Sequence, residues 1–225
     1  MRHAPIPKAR LTLDWFSKNI STVLTVCMAI AAIVIATNAE VAELLQYDRS
    51  AISAGQWWRL LTGHLTHWNK DHLFWDVLMF AVLGAMIKNG QHWRAIVIGS
   101  AIAISAVLWF CYPEIETYRG LSGIDTALFV VAIAELLKRA LHKRDWLIAG
   151  LTSSAALGLF VKLAYEATTG HCLFVDDSNA GFVPLVAAHV VGAIAGGLFL
   201  VLVHFTNASR QRSLRLAKNR ISASD

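Results

Sequence analysis

A serine set between glycines, Gly120-Leu121-Ser122-Gly123, opens one strongly apolar stretch. A histidine 67 residues beyond Ser122 sits among small residues in another, Ala188-His189-Val190-Val191-Gly192, with Gly196 further on. An unactivated serine hydroxyl is a poor nucleophile and needs an adjacent base to take its proton. Histidine is such a base: its ordinary pKa is about 6.5, and burial disfavours the charged ring and leaves it able to accept. A Ser122–His189 dyad, and with it acyl transfer, is the first chemistry these residues offer. His72 and Asp76 add a second pair, spaced i, i+4 so that both project from one helical face. His72 can donate a hydrogen bond to an oxyanion. A charged Asp76 repels one, a protonated Asp76 donates to it, and a third option is that Asp76 orients His72 or binds water.

Gly192 and Gly196 lie on nearly the same helical face as His189, and with Ala188 and Ala195 they form a surface that another helix can approach closely. Gly120, Gly123 and Ala127 offer a matching surface beside Ser122. Close packing of the two brings hydroxyl and imidazole within reach. The helix start at Ser122 also supplies unpaired backbone N–H groups and the positive end of a helix dipole. Each piece has a plainer meaning. Glycine and serine recur at helix contacts, and a lone histidine in an apolar helix can simply be a buried hydrogen-bonding residue. Asp125, one turn past Ser122, either completes a triad or solvates the helix start. His64, His67 and His72 straddle a loop and a helix start, so no metal site and no cofactor is expected.

The elements that must position these residues are apolar. The chain has 225 residues, 56% hydrophobic and 16% charged, with a mean hydropathy of +0.51; this is not the composition of an ordinary soluble domain. The apolar residues gather in six runs, Ile20–Thr37, His72–Ile87, Ala95–Phe110, Ser122–Leu137, Trp146–Tyr165 and Phe182–Phe205. With flanking residues each approaches the roughly 20 residues that cross a bilayer. Backbone groups in lipid must be bonded internally, so the runs are read as helices, and long apolar blocks exclude the period-2 alternation of a membrane β-barrel. The expected fold is an all-α polytopic membrane protein with six transmembrane helices. Its parts are an arm over residues 1–19, a core over 20–205 and a basic tail over 206–225.

The net charge of +5 does not point to nucleic acid. Fifteen of the 20 basic residues fall on the arm, the tail and the second and fourth connections, all on one side of a six-span protein. That positive-inside pattern places both termini in the cytoplasm and the tail against anionic lipid. The first run is longer than a signal-peptide core and lacks a good cleavage site, so it is read as a retained anchor. Cys111 and Cys172 fall on the outer side, as a disulfide pair or as two unrelated thiols.

The topology puts Ser122, His189, His72 and Asp76 in the outer half of the membrane, from three helices. The first outer connection holds Trp57, Trp58, Trp68, His64 and His67, and is expected to lie partly embedded as short helices. The fifth, residues 166–181, is acidic and suited to gating access. Glu135 and Lys162 are expected to snorkel to the inner interface.

These residues resemble the rhomboid intramembrane serine proteases. The resemblance rests on Trp58-Arg59 in the first outer loop, His67 and His72 entering span two, GLSG opening span four, and Ala188, His189, Gly192 and Gly196 in span six. It implies Ser122 as nucleophile, His189 as general base and His72 as oxyanion donor, with Gly120 at the family's motif glycine. Two positions depart from the pattern. Asp76 stands where the family has asparagine, and Thr126 where an aromatic ring commonly stacks on the histidine. An aspartate there, within GHLTHWNKDHLFWD, and LFVDD before AAH resemble the bacterial rhombosortase subgroup. That implies a Gram-negative inner membrane, a site opening to the periplasm, and substrates anchored by C-terminal transmembrane segments containing Gly-Gly. The alternative is a protease-dead relative that binds transmembrane helices as adaptor or chaperone, which the retention of Ser122 and His189 argues against. A small transporter is disfavoured by the lack of repeated halves.

Overall fold

The computed structural model describes residues 8–171 and 186–222, and the side chains of residues 19–171 and 186–209. Three expectations fall outside the described residues: a pairing of Cys111 with Cys172, a gate at Asp176, Asp177 and Asn179, and the contacts of the basic tail.

Helix α1 (Lys8–Ala36) leads into three short helices, α2 (Ala39–Leu45), α3 (Arg49–Ser53) and α4 (Arg59–Thr62), and a 3-10 turn at Gly63–Leu65. Then come α5 (Lys70–Met86), α6 (Gly90–Cys111), α7 (Ser122–Lys143), α8 (Trp146–Thr169) and α9 (Val186–Ser222). Most helix starts are set by a side chain of the preceding residue. Asn38, Asp48, Asn69, Asn89 and Asp145 each accept a hydrogen bond from the first turn of α2, α3, α5, α6 and α8, satisfying N–H groups with no partner inside the helix. Helices α4 and α7 lack such a cap, since neither Trp58 nor Leu121 makes a side-chain bond to the first turn.

Among the described residues, four helices are long and apolar enough to cross a membrane: Asn19–Ala36 within α1, all of α6 and α8, and Val186–Ser209 within α9. Their large apolar side chains face outward, among them Ile30, Val34, Ile102, Leu147, Phe160, Leu202 and Phe205. A soluble domain does not expose such a surface, and a bilayer covers it. Helix α7 differs because its surroundings differ. It lies at the centre, against α5, α6, α8 and α9, with Ile124, Ala127, Leu128, Val131 and Ala132 buried. A helix walled by protein need not be as apolar as one walled by lipid. Helix α5 packs on α1, where Thr25 lies so close to Gly84 that no Cβ fits.

The connection between α1 and α5 folds back onto the bundle. Strand β1 (Tyr47–Asp48) pairs antiparallel with β2 (Thr117–Tyr118), in the segment before α7, with Tyr47 opposite Tyr118. Arginines fasten the rest. The Arg49 guanidinium donates to the carbonyls of Leu108 (2.7 Å), Trp109 (3.2 Å) and Tyr112 (2.9 Å), closing the C-terminal end of α6. Arg59 donates to the carbonyls of Glu43 (2.7 Å) and Gln46 (2.9 Å) at the end of α2. Arg119 donates to Gln46 Oε1 at 2.8 Å and lies over the Trp68 ring. His64 Nε2 is 3.2 Å from both Ala101 O and Ser105 Oγ on α6.

Burial holds the His64 ring neutral, with its pKa pushed down to about 4. In the unfolded chain the ring titrates near 6.5, so acid protonates the unfolded state first. The His64 contribution is fully present above about pH 6.5 and is lost as pH falls towards about 4, by up to about 3 kcal/mol. Thermal melts in detergent are expected to show the midpoint falling between pH 7 and 5, less steeply in His64→Gln. Parallel slopes for the two proteins refute this assignment.

Candidate active site

Helices α7 and α9 touch where both are bare. A Cβ on Gly192 collides with the Gly123 carbonyl, one on Gly123 lies 2.8 Å from Ala188 O, and one on Gly196 lies 2.6 Å from Ala127 O. The small residues on the two helices therefore meet each other, and the backbones approach to direct contact. This brings Ser122, at the start of α7, and His189, in the first turn of α9, onto one cavity of about 720 Å³. Helix α5 adds His72, Trp75, Asp76 and Met79 to its wall, and α8 adds Gly158, Lys162 and Glu166. Among the described residues, the His189 ring bonds to groups on α8 and not to Ser122 Oγ.

Asp76 occupies the helix start. Its Oδ2 accepts from the backbone N–H groups of Leu121 (2.8 Å) and Ser122 (3.1 Å). His67 Nε2 and His72 Nε2 each lie 3.2 Å from the same oxygen. The amides expected to be unpaired at this helix start are thus capped from α5, which explains how α7 manages without a cap of its own. The chain reaches this position through Gly120, whose φ of +130° is a conformation few L-residues adopt. A side chain there would also meet His72 Nε2 at 2.8 Å and Asp76 Oδ2 at 3.2 Å. Tyr118 Oη donates to Gly120 O at 3.1 Å and fixes the turn.

Asp125 does not solvate the helix start, because Asp76 already does. Among the described residues neither of its buried carboxyl oxygens has a hydrogen-bond partner, and it lines the cavity beside Ser122. Thr126 donates back to Ser122 O at 2.8 Å. The three histidines singled out in the sequence separate: His64 turns to α6, whereas His67 and His72 stack edge to face at 5.2 Å beside Asp76.

The inner-interface expectation for Lys162 is overturned. Its Nζ donates to Glu166 Oε1 at 2.6 Å, and Glu166 Oε2 lies 2.8 Å from His189 Nδ1. Lys162 stays inside because a buried carboxylate one turn along α8 needs a counter-charge. Glu166 is the residue that sequence reasoning missed. The sequence pattern puts it in the fifth connection, but α8 continues to Thr169 and leaves Glu166 only 1% exposed. The signal was available: a lysine and a glutamate spaced i, i+4 inside an apolar run form a pair facing one way.

Residues 54–206 match the Rhomboid domain. No curated protein matches the chain closely enough to count as a relative.

Two outcomes follow from the packing and the cap. Asp76→Ala, which strands the Leu121 and Ser122 amides, is expected to destabilise by about 1–3 kcal/mol, and Asp76→Asn, which keeps an acceptor oxygen, by less. Gly192→Leu is expected to cost at least about 2 kcal/mol by forcing α9 off α7. Thermal midpoints in detergent measure both, and a wild-type midpoint in Asp76→Ala or Gly192→Leu contradicts the corresponding contact.

Proposed function

We propose that this chain, which belongs to the rhomboid family, is an intramembrane serine endopeptidase acting on membrane-anchored proteins. The observation that carries the reading is the shared cavity: a hydroxyl from α7 and a buried imidazole from α9 face one space, on helices in glycine contact. In this reading Ser122 Oγ attacks the carbonyl carbon of the scissile bond as His189 Nε2 takes its proton. The same ring then returns the proton to the leaving amine, and water releases the acyl group by the reverse sequence. The hydroxyl–imidazole bond forms as substrate enters, as catalytic hydrogen bonds commonly tighten only in the bound complex.

Negative charge on the substrate carbonyl oxygen draws on the Leu121 and Ser122 amides and on His72, the groups gathered around Asp76 Oδ2. The substrate oxygen therefore competes with Asp76 for its donors.

The same reading takes α1, α5, α6, α7, α8 and α9 as six crossings. The one-sided placement of basic residues supports cytoplasmic termini and a site opening to the periplasm of a bacterial inner membrane. The resemblance to rhombosortases supports substrates with C-terminal transmembrane anchors containing Gly-Gly, cleaved near the periplasmic side.

The test is cleavage of a Gly-Gly-anchored substrate by the protein reconstituted in liposomes. Ser122→Ala and His189→Ala are each expected to lower kcat by about 10⁴-fold or more. Unchanged cleavage in either variant removes the dyad, and binding without cleavage by the wild type favours an adaptor. Asp76→Asn, which keeps the shape and loses the charge, is expected to cleave at or above the wild-type rate. Its inactivity would make the carboxylate a requirement.

A further inference from the structure

Hydrogen-bond chemistry fixes how the His189 ring is held. A carboxylate oxygen only accepts, so the 2.8 Å contact between Glu166 Oε2 and His189 Nδ1 requires the proton to sit on Nδ1. That leaves the Nε2 lone pair as the ring's only acceptor. Lys162 Nζ lies 3.3 Å from the same Nδ1, but a nitrogen already bearing a proton in the ring plane offers it no lone pair. Its short bond is instead to the other carboxylate oxygen, Glu166 Oε1, at 2.6 Å. The carboxylate is thus divided, one oxygen to the lysine and one to the histidine.

We infer that Glu166, with its charge balanced by Lys162, is a positioning residue that sets the tautomer of His189 and stabilises the ring when it carries both protons. The inference rests on the protease reading above and adds a third member to the pair. When Ser122 Oγ bonds to the substrate carbonyl carbon, its proton moves to Nε2, and the ring passes that proton on to the leaving amine. The Nδ1 proton stays between His189 and Glu166 throughout. Glu166 never touches substrate; it acts through the imidazole.

Burial is what gives the arrangement force. Glu166 is 1% and His189 6% exposed, so water screens their interaction little. Lys162 works in the opposite sense on the ring, since a cation 3.3 Å from Nδ1 opposes a second positive charge there. Among the described residues, the other titratable groups facing His189 across the cavity are Asp125 on α7 and His72 and Asp76 on α5. Helix α6, which also packs on α9, brings none to this space. Glu166 and Lys162 are the charged groups nearest Nδ1, one an anion and the other a cation.

Opposed displacements are a signature that a merely structural role does not produce. In the reconstituted full-length protein, the acid limb of the kcat/KM profile reports protonation of the free enzyme's base. Glu166→Gln is expected to move that limb down by about one pH unit and to lower the plateau roughly tenfold or more. Lys162→Met is expected to move it up. Nuclear magnetic resonance of isotope-labelled histidine in detergent-solubilised wild type is expected to show His189 in the Nδ1–H form. That signal needs neither substrate nor catalysis, so it separates the two readings. A wild type that cleaves nothing yet holds Nδ1–H in a Glu166-dependent way loses the protease reading and keeps the positioning. Superimposable acid limbs in all three active proteins, or an Nε2–H form in the wild type, overturn the positioning role. So does a lowered melting temperature in both variants with neither profile displaced.

Discussion

One carboxylate oxygen organises the end of the bundle that holds the cavity. Asp76 Oδ2 draws the Leu121 and Ser122 amides to 2.8 and 3.1 Å and stands 3.2 Å from both His67 and His72. Bonds from N–H groups to a charged acceptor contribute about 1.5–3 kcal/mol each, more than neutral ones. Here they do more than stabilise, because every other helix of the site is placed from α7. The cap sets where α7 begins, the beginning sets where Gly123 and Ala127 lie, and those residues set how closely α9 approaches. Gly120 follows from the same constraint: the chain must pass the carboxylate in a conformation, and at a distance, that no side chain allows.

A bilayer changes what can hold such a structure together. Lipid tails are as apolar as leucine, so burying leucine against leucine gains little between helices, and close backbone packing and buried polar contacts take over. Both are visible. Gly192 meets Gly123, Gly196 meets Ala127 and Gly84 meets Thr25, while the polar contacts run between different elements: α5 to the start of α7, α8 to α9, and the connection after α1 to α6. The site therefore depends on the assembled bundle. Among the described residues, its bonds run mainly between helices, beside the i, i+4 pairs on α5 and α8 and the Thr126–Ser122 bond on α7.

What could be read in the sequence was periodic or local. Glycine spacing around His189 and Ser122 announced a close helix contact because three- and four-residue spacing has one geometric meaning on a helix. The apolar runs were legible as well. Asp76 and His72 were legible as a pair, but not Asp76 as the cap of another helix 45 and 46 residues away, since only folding joins them. Glu166 was lost to a boundary. Hydropathy falls as α8 nears its end, and a glutamate there looks like the start of a loop. Lys162 was misplaced in consequence, because without Glu166 a lone lysine in an apolar run has no reason to stay inside. The six apolar runs also outnumber the four helices that, among the described residues, meet the length and apolarity of a span on their own. The difference falls on α5 and α7, one short and the other walled by its neighbours.

Two buried acids flank Ser122 in different ways, and the difference shows what the cavity is arranged to do. Asp76 is held by backbone amides and histidines from the α5 side, and Glu166 by a lysine and a histidine from the α8 side. Each has cross-helix partners, which is the condition for a carboxylate to persist out of water. Asp125, between them on α7, has none among the described residues for either oxygen. The resemblance calls for an aromatic ring at Thr126 to hold the histidine by stacking, yet Thr126 turns back on its own helix. A hydrogen bond from α8 takes that place, and the two kinds of restraint are not equivalent. A stacked ring fixes the plane of an imidazole and leaves both nitrogens open. A carboxylate fixes the plane and also decides which nitrogen carries the proton. With Thr126 in place of an aromatic side chain, the orientation of His189 rests on Glu166, and hence on α8 staying beside α9.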